Sequence, residues 1–166
     1  MHELIRDLEP SRLYCPASYD VPEMRKCPDE PSCPAECSCK AATSDTIHMN
    51  CRDKRLQKVP KHGPENVVNL ILEDNELTEL RAREFTQYRR IQGLDLSKNK
   101  IETIDEKAFD GLVNLQKLYL YENQLTSIGP GTLNGLRGLQ TIMMNSNKLK
   151  CLPADLLSDQ RGSLIM

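Results

Sequence analysis

The sequence predicts an α/β-type solenoid built mostly of short parallel strands and irregular loops. Three observations lead there: an ungapped 24-residue self-similarity, one asparagine fixed in every period, and six of seven cysteines crowded into the first third of a 166-residue chain. The aligned segments are VVNLILEDNELTEL from Val67, IQGLDLSKNKIETI from Ile91, LQKLYLYENQLTSI from Leu115 and LQTIMMNSNKLKCL from Leu139. Each fits L-x-x-L-x-L-x-x-N-x-L-x-x-L, and a repeat of this length is the mark of stacked units that cannot bury an apolar face alone.

The columns of the period translate into elements in order. In the L-x-L piece successive side chains alternate faces, so Leu70 and Leu72 point inward while Asn69, Ile71 and Glu73 point outward. Copies stacked about 4.8 Å apart form a parallel sheet over a continuous leucine core. The recurrent Asn75, Asn99, Asn123 and Asn147 sit where the chain leaves the strand. A carboxamide there both donates to and accepts from unpaired backbone groups of neighbouring turns. Leu77, Ile101, Leu125 and Leu149 re-enter the core, and Phe85, Phe109, Leu133 and Leu157 fill its wider outer half. That inequality of bulk curves the stack and places the strands on its concave side.

Upstream of the first repeat, counting back from Leu56 aligns Met49 with Leu70 and Cys51 with Leu72, so a further strand continues the sheet. The cysteines Cys15, Cys27, Cys33, Cys37, Cys39 and Cys51 read as disulfides formed in an oxidising compartment. A zinc site fits poorly, because Cys37 and Cys39 are one residue apart and no His-x-x-x-His follows. Cys151 is expected to be a buried free thiol.

Function classes narrow by composition. A formal charge of −2, with no basic or acidic tail, argues against a general affinity for nucleic acid. No apolar run approaches the ~20 residues that span a bilayer, and the charged start MHELIRDLEP lacks a signal-peptide core. No nucleophile motif, phosphate loop or carboxylate pair suggests catalysis, and neither cofactor nor metal is expected. The chain reads as a binding module rather than an enzyme.

The outward sheet positions form three columns: His48, Asn69, Gly93, Lys117, Thr141; then Asn50, Ile71, Asp95, Tyr119, Met143; then Arg52, Glu73, Ser97, Tyr121, Asn145. None serves the core, so all are free to carry recognition. Tyr119 and Tyr121 stand out in a chain with five tyrosines, two phenylalanines and no tryptophan. Outward phenols on a sheet are amphipathic surface of the kind enriched at interface centres. Arg52, Glu73 and Asp95 are candidates for electrostatic steering of a partner.

These features resemble the extracellular leucine-rich repeat, a horseshoe closed at its N-terminal end by a cysteine cap. CPAECSCKAATSDTIHMNCRDKRLQKVP resembles that cap. The resemblance implies the pairs Cys33 with Cys39 and Cys37 with Cys51, where the residues alone leave three connectivities open. Segment 32–61 is then the cap and 62–166 four repeats with the start of a fifth, the C-terminal end being truncated. Segment 1–31 resembles the tail of a preceding domain's C-terminal cysteine cap. The missing upstream partners leave Cys15 and Cys27 to pair with each other or stay unpaired.

More narrowly, CPAECSC, DLSKNKI, LYENQLT and NSNKLKCL resemble the Slit family of secreted axon-guidance ligands, and within it the second repeat domain. The resemblance implies binding to the first immunoglobulin domain of a Robo-type receptor through the concave face. Tyr121 matches an aromatic contact and Arg52 a basic one. Ile71 departs, since relatives carry arginine there, and a second aromatic contact falls beyond Met166. Tyr119, Glu73, Asp95, Ser97, Asn145, Met143 and Ile71 complete the expected partner-binding set. The resemblance also implies heparan sulfate as a partner, with Lys54, Arg55, Lys58, Lys61, Arg81, Arg83, Arg89 and Arg90 as the basic surface. The alternative is a structural matrix protein of the small proteoglycan or peroxidasin type, which carries a single array without a preceding cap.

Overall fold

In the computed structural model the described residues are 33–156. The expectations for segment 1–31, for Cys15 and Cys27, for Leu157 and for a fifth strand lie outside them.

Eight strands follow one another: β1 Ser38–Thr43, β2 Thr46–Asn50, β3 Val67–Ile71, β4 Glu79–Leu80, β5 Gly93–Asp95, β6 Thr103–Ile104, β7 Lys117–Tyr119 and β8 Thr141–Met143. A six-stranded sheet has the order β1-β2-β3-β5-β7-β8, and β4 with β6 makes a two-stranded sheet. Every pairing from β2 onward is parallel and in the register of the repeat: Met49 opposite Leu70, Leu70 opposite Leu94, Leu94 opposite Leu118, Leu118 opposite Ile142. All five of these side chains are fully buried. Slipping one strand by a single residue would turn its leucines to solvent, so the burial itself holds the register.

The cap contains one more strand than the cysteine pattern suggests. β1 runs antiparallel to β2, with Ser38 opposite Asn50 and Lys40 opposite His48. It supplies backbone partners to a strand that would otherwise present an open edge. Disulfides join Cys33 to Cys39 and Cys37 to Cys51, tying β1 and the segment before it to the sheet. Among the described residues the first coil has repeat coils on one side only, and β1 with the two disulfides serves its other side.

At the end of each strand the chain turns through a left-handed residue: Asp53, Asp74, Lys98, Glu122 and Ser146 all have φ between 53° and 59°. The asparagine that follows in four of the five coils stitches one coil to the next. Asn123 Oδ1 accepts from Ile101 N at 3.0 Å, while its Nδ2 donates to Leu96 O at 3.0 Å and Leu120 O at 3.1 Å. Asn99 repeats this with Leu77 N, Leu72 O and Leu96 O, and Asn147 with Leu125 N, Leu120 O and Met144 O. Asn75 adapts to the cap, where Lys54 stands in the asparagine column: its Oδ1 takes both Lys54 N and Leu56 N.

Opposite the sheet, Phe85 and Phe109 stack with centroids 5.9 Å apart and planes 14° apart, as their column requires. Tyr88, Leu112 and Leu136 form a second buried column there. Tyr88 takes a leucine's place because its hydroxyl finds a polar end: it donates to Pro60 O at 2.8 Å. Among the described residues these segments are turns, with no α-helix.

Two outcomes are expected from this packing. Asn123→Ala leaves the buried Ile101 N–H without its acceptor and should cost roughly 3 kcal/mol in denaturant unfolding, through lost bonds and one stranded donor. Burial pushes the Tyr88 phenol from 10.0 up to about 12. An unfolded chain ionises at the lower value, so this contribution to stability is intact below pH 10 and is lost as pH rises toward about 12. Tyr88→Phe should flatten that alkaline decline; an unaltered pH profile of unfolding would contradict it.

Candidate protein-binding face

The parallel register carries the first two columns across the sheet, and past the strand ends the third column follows through backbone bonds from Asp53 N to Glu73 O, Asp74 N to Ser97 O, Lys98 N to Tyr121 O and Glu122 N to Asn145 O. His48 lies opposite Asn69, Asn69 opposite Gly93, and Gly93 opposite Lys117. Asn69 Nδ2 and His48 Nε2 are 3.0 Å apart. A Cβ at Gly93 would meet only the Asn69 carboxamide, a side-chain end that can swing aside.

The N-terminal half of the face is a polar network. Glu73 lies between two cations, with Arg52 Nη1 at 3.0 Å and Lys98 Nζ at 2.9 Å. The hydrogen bond to Glu73 holds the Lys98 ammonium above the ordinary lysine value. Asp95 Oδ1 accepts from both Ser97 N, at 3.0 Å, and Ser97 Oγ, at 2.5 Å. The C-terminal half carries the aromatic side chains and a thioether, bordered by Lys117 and Thr141 in the first column and by Asn145 in the third. Tyr119 and Tyr121 meet edge to face, with centroids 6.5 Å apart and planes at 72°. Beside them Met143, opposite Tyr119 in register, is 37% exposed.

The sequence-derived set therefore divides. Arg52, Met143 and Asn145 are exposed, and Tyr119, Tyr121, Asp95 and Ile71 are half-buried. Glu73 and Ser97 correct the expectation that every outward position is free, being 8% and 0% exposed. Glu73 is covered by the two long side chains it binds, and Ser97 is too short to rise beside the Asp95 carboxylate it supports. They position Arg52, Lys98 and Asp95 rather than offering surface of their own. Lys98 was missed by the column reading because it occupies the left-handed turn position, yet its ammonium returns to the face. The signal was the 25-residue step from Glu73, which places acid and base in adjacent coils.

Cys151 is also corrected, being a free thiol that is exposed. Its repeat equivalents Glu79, Thr103 and Ser127 are exposed too, so the period assigns this column to solvent. Of the basic residues, Arg81 pairs with Glu79, Arg83 with Asp110 and Arg90 with Asp45. Lys54, Arg55, Lys58 and Lys61 make no ion pair of this kind among the described residues. No group of three or more His, Cys, Asp or Glu suited to a metal ion occurs among the described residues.

Comparison with known proteins agrees with this architecture. The family model described as leucine rich repeat matches residues 65–125 and 114–161. Among solved structures, the crystal structure of the TLR13-ssRNA13 complex superposes with a TM-score of 0.67 at 28% identity, covering 75% of this chain. The chain spans only 18% of that protein's length. With more than half of its residues matched by the family model, the chain belongs to the leucine-rich repeat family.

Proposed function

We propose that this chain is a secreted protein-binding module of a Slit-like guidance ligand, engaging the first immunoglobulin domain of a Robo-type receptor with its concave sheet. The observation that carries the reading is the outward Tyr119 and Tyr121 pair beside exposed Met143. The repeat demands nothing of these positions, and aromatic side chains with Met are enriched in interface cores. The four Slit-like segments name the partner class. In this reading segment 1–31 is the end of a preceding repeat domain, 32–61 the cap and 62–166 the binding array. Its disulfides and protein partner belong to the extracellular space.

A protein partner suits the face better than a polyanion does. The single-stranded RNA of the TLR13 complex belongs to that protein; here Arg52 and Lys98 are engaged by Glu73, and Asp95 adds a further negative charge. Heparan sulfate is assigned instead to Lys54, Arg55, Lys58 and Lys61, outside the three columns.

Surface plasmon resonance against a Robo ectodomain tests the main reading. Tyr121→Ala should weaken binding by on the order of 2 kcal/mol, the scale of an interface anchor; an unchanged affinity overturns it. Elution from a heparin column at background salt, unaffected by charge reversal at Lys58 and Lys61, would remove the glycan.

A further inference from the structure

We infer that Met143 is a redox-modification site of the concave face: its thioether is the one on this face that a peroxide can reach, and its sulfoxide weakens recognition by the aromatic half. The functional half of this inference rests on the proposed reading of the face.

Three methionines lie among the described residues, in three different environments. Met49 is the inward residue of β2 and is fully buried. Met144 follows Met143 in sequence but points the opposite way, half-buried against the core. Met143 ends the column of Asn50, Ile71, Asp95 and Tyr119 and is 37% exposed. The alternation of the strand thus sends two adjacent methionines of equal intrinsic reactivity to different surroundings, Met143 to the outward face and Met144 to a cavity it lines with Ile142, Leu149 and Cys151.

The chemistry is an oxygen transfer. The thioether sulfur attacks one peroxide oxygen, an S–O bond forms as the O–O bond breaks, and the departing hydroxide takes up a proton to leave as water. Sulfur is oxidised by two electrons and peroxide is reduced. The product replaces a flexible apolar group by a polar sulfoxide that accepts hydrogen bonds. The change falls outside the ion pairs that Glu73 makes with Arg52 and Lys98 and beside the two phenols, with Lys117 and Asn145 at the border of the patch. In an apolar contact the sulfoxide must be desolvated without a partner.

The experiment uses the full chain carrying Cys151→Ser, to exclude thiol oxidation at that exposed position, treated with hydrogen peroxide over a time course. Peptide mapping by mass spectrometry should show sulfoxide at Met143 before Met49 and Met144; equal or slower oxidation of Met143 overturns the site. Binding of the Robo ectodomain should fall on the order of tenfold as Met143 is oxidised. Methionine sulfoxide reductase should restore it, and Met143→Leu should keep its affinity through the same treatment. Unchanged binding by the oxidised chain, or equal loss in Met143→Leu, overturns the functional half. Failure of the untreated chain to bind the receptor sinks the receptor reading alone, because the mapping decides the site without a partner.

Discussion

The structure depends on one side chain repeated four times. A short strand closed by a left-handed residue leaves carbonyls and amides pointing along the solenoid axis, where the next coil excludes water. Each asparagine supplies an acceptor to one coil and donors to two, all at 2.8–3.1 Å for the bonds between coils. No other uncharged side chain of that length except aspartic acid in its protonated form offers both roles. Net hydrogen-bond gains of about 1 kcal/mol each are modest, yet the alternative is a buried row of unpaired backbone groups. The ladder therefore specifies the coil more than the leucines do. Leucines would bury as readily in a helix, whereas the asparagine finds its partners between coils only when the chain makes this turn.

That division of labour decides what else is free. Inward columns are committed to volume, the asparagine column to backbone groups, and the phenylalanine column to the wide side of the core. Of the sheet's own positions the outward ones are left, Glu73 and Ser97 excepted, and they are not uniform. Toward the cap, long side chains of opposite charge satisfy one another across adjacent strands. Past Ser97 they give way to phenols and a thioether. A face of this kind sets orientation with its polar half and supplies contact area with its apolar half, since exposed ion pairs contribute little net affinity. The two halves also differ in what holds them: Glu73 is held by two ion pairs, whereas Tyr119 and Tyr121 meet through an edge-to-face ring contact.

Much of this was legible because a solenoid converts sequence spacing directly into spatial adjacency. The inward register from Met49 through Ile142, the strand at the cap and the side on which the tyrosines emerge all follow from counting. What counting cannot supply is the behaviour of long or short side chains once adjacent. Glu73 is buried by Arg52 and Lys98, a result of three side-chain lengths, and Lys98 belongs to a turn rather than to a column. Tyr88 hides in a leucine column because Pro60, contributed by the cap, supplies an acceptor 28 residues upstream. β1 escaped notice because it pairs antiparallel and lies outside the period. Cys151 was misjudged as a cysteine, by its general preference for burial, when its place in the repeat already assigned it to the exposed column.

The same geometry explains why chemical consequences alternate so sharply along the chain. Met143 and Met144 are neighbours in sequence, with identical chemistry, and yet Met144 packs against the core while Met143 extends the outward face. In a globular protein such a difference would need a detailed account of local packing. Here it follows from the period of two within the strand and from the lack of a second layer over the sheet among the described residues. A parallel sheet in a layered α/β protein is covered on both faces, so its alternate residues are equally protected. Among its described residues the solenoid leaves one face bare, and that exposes Met143.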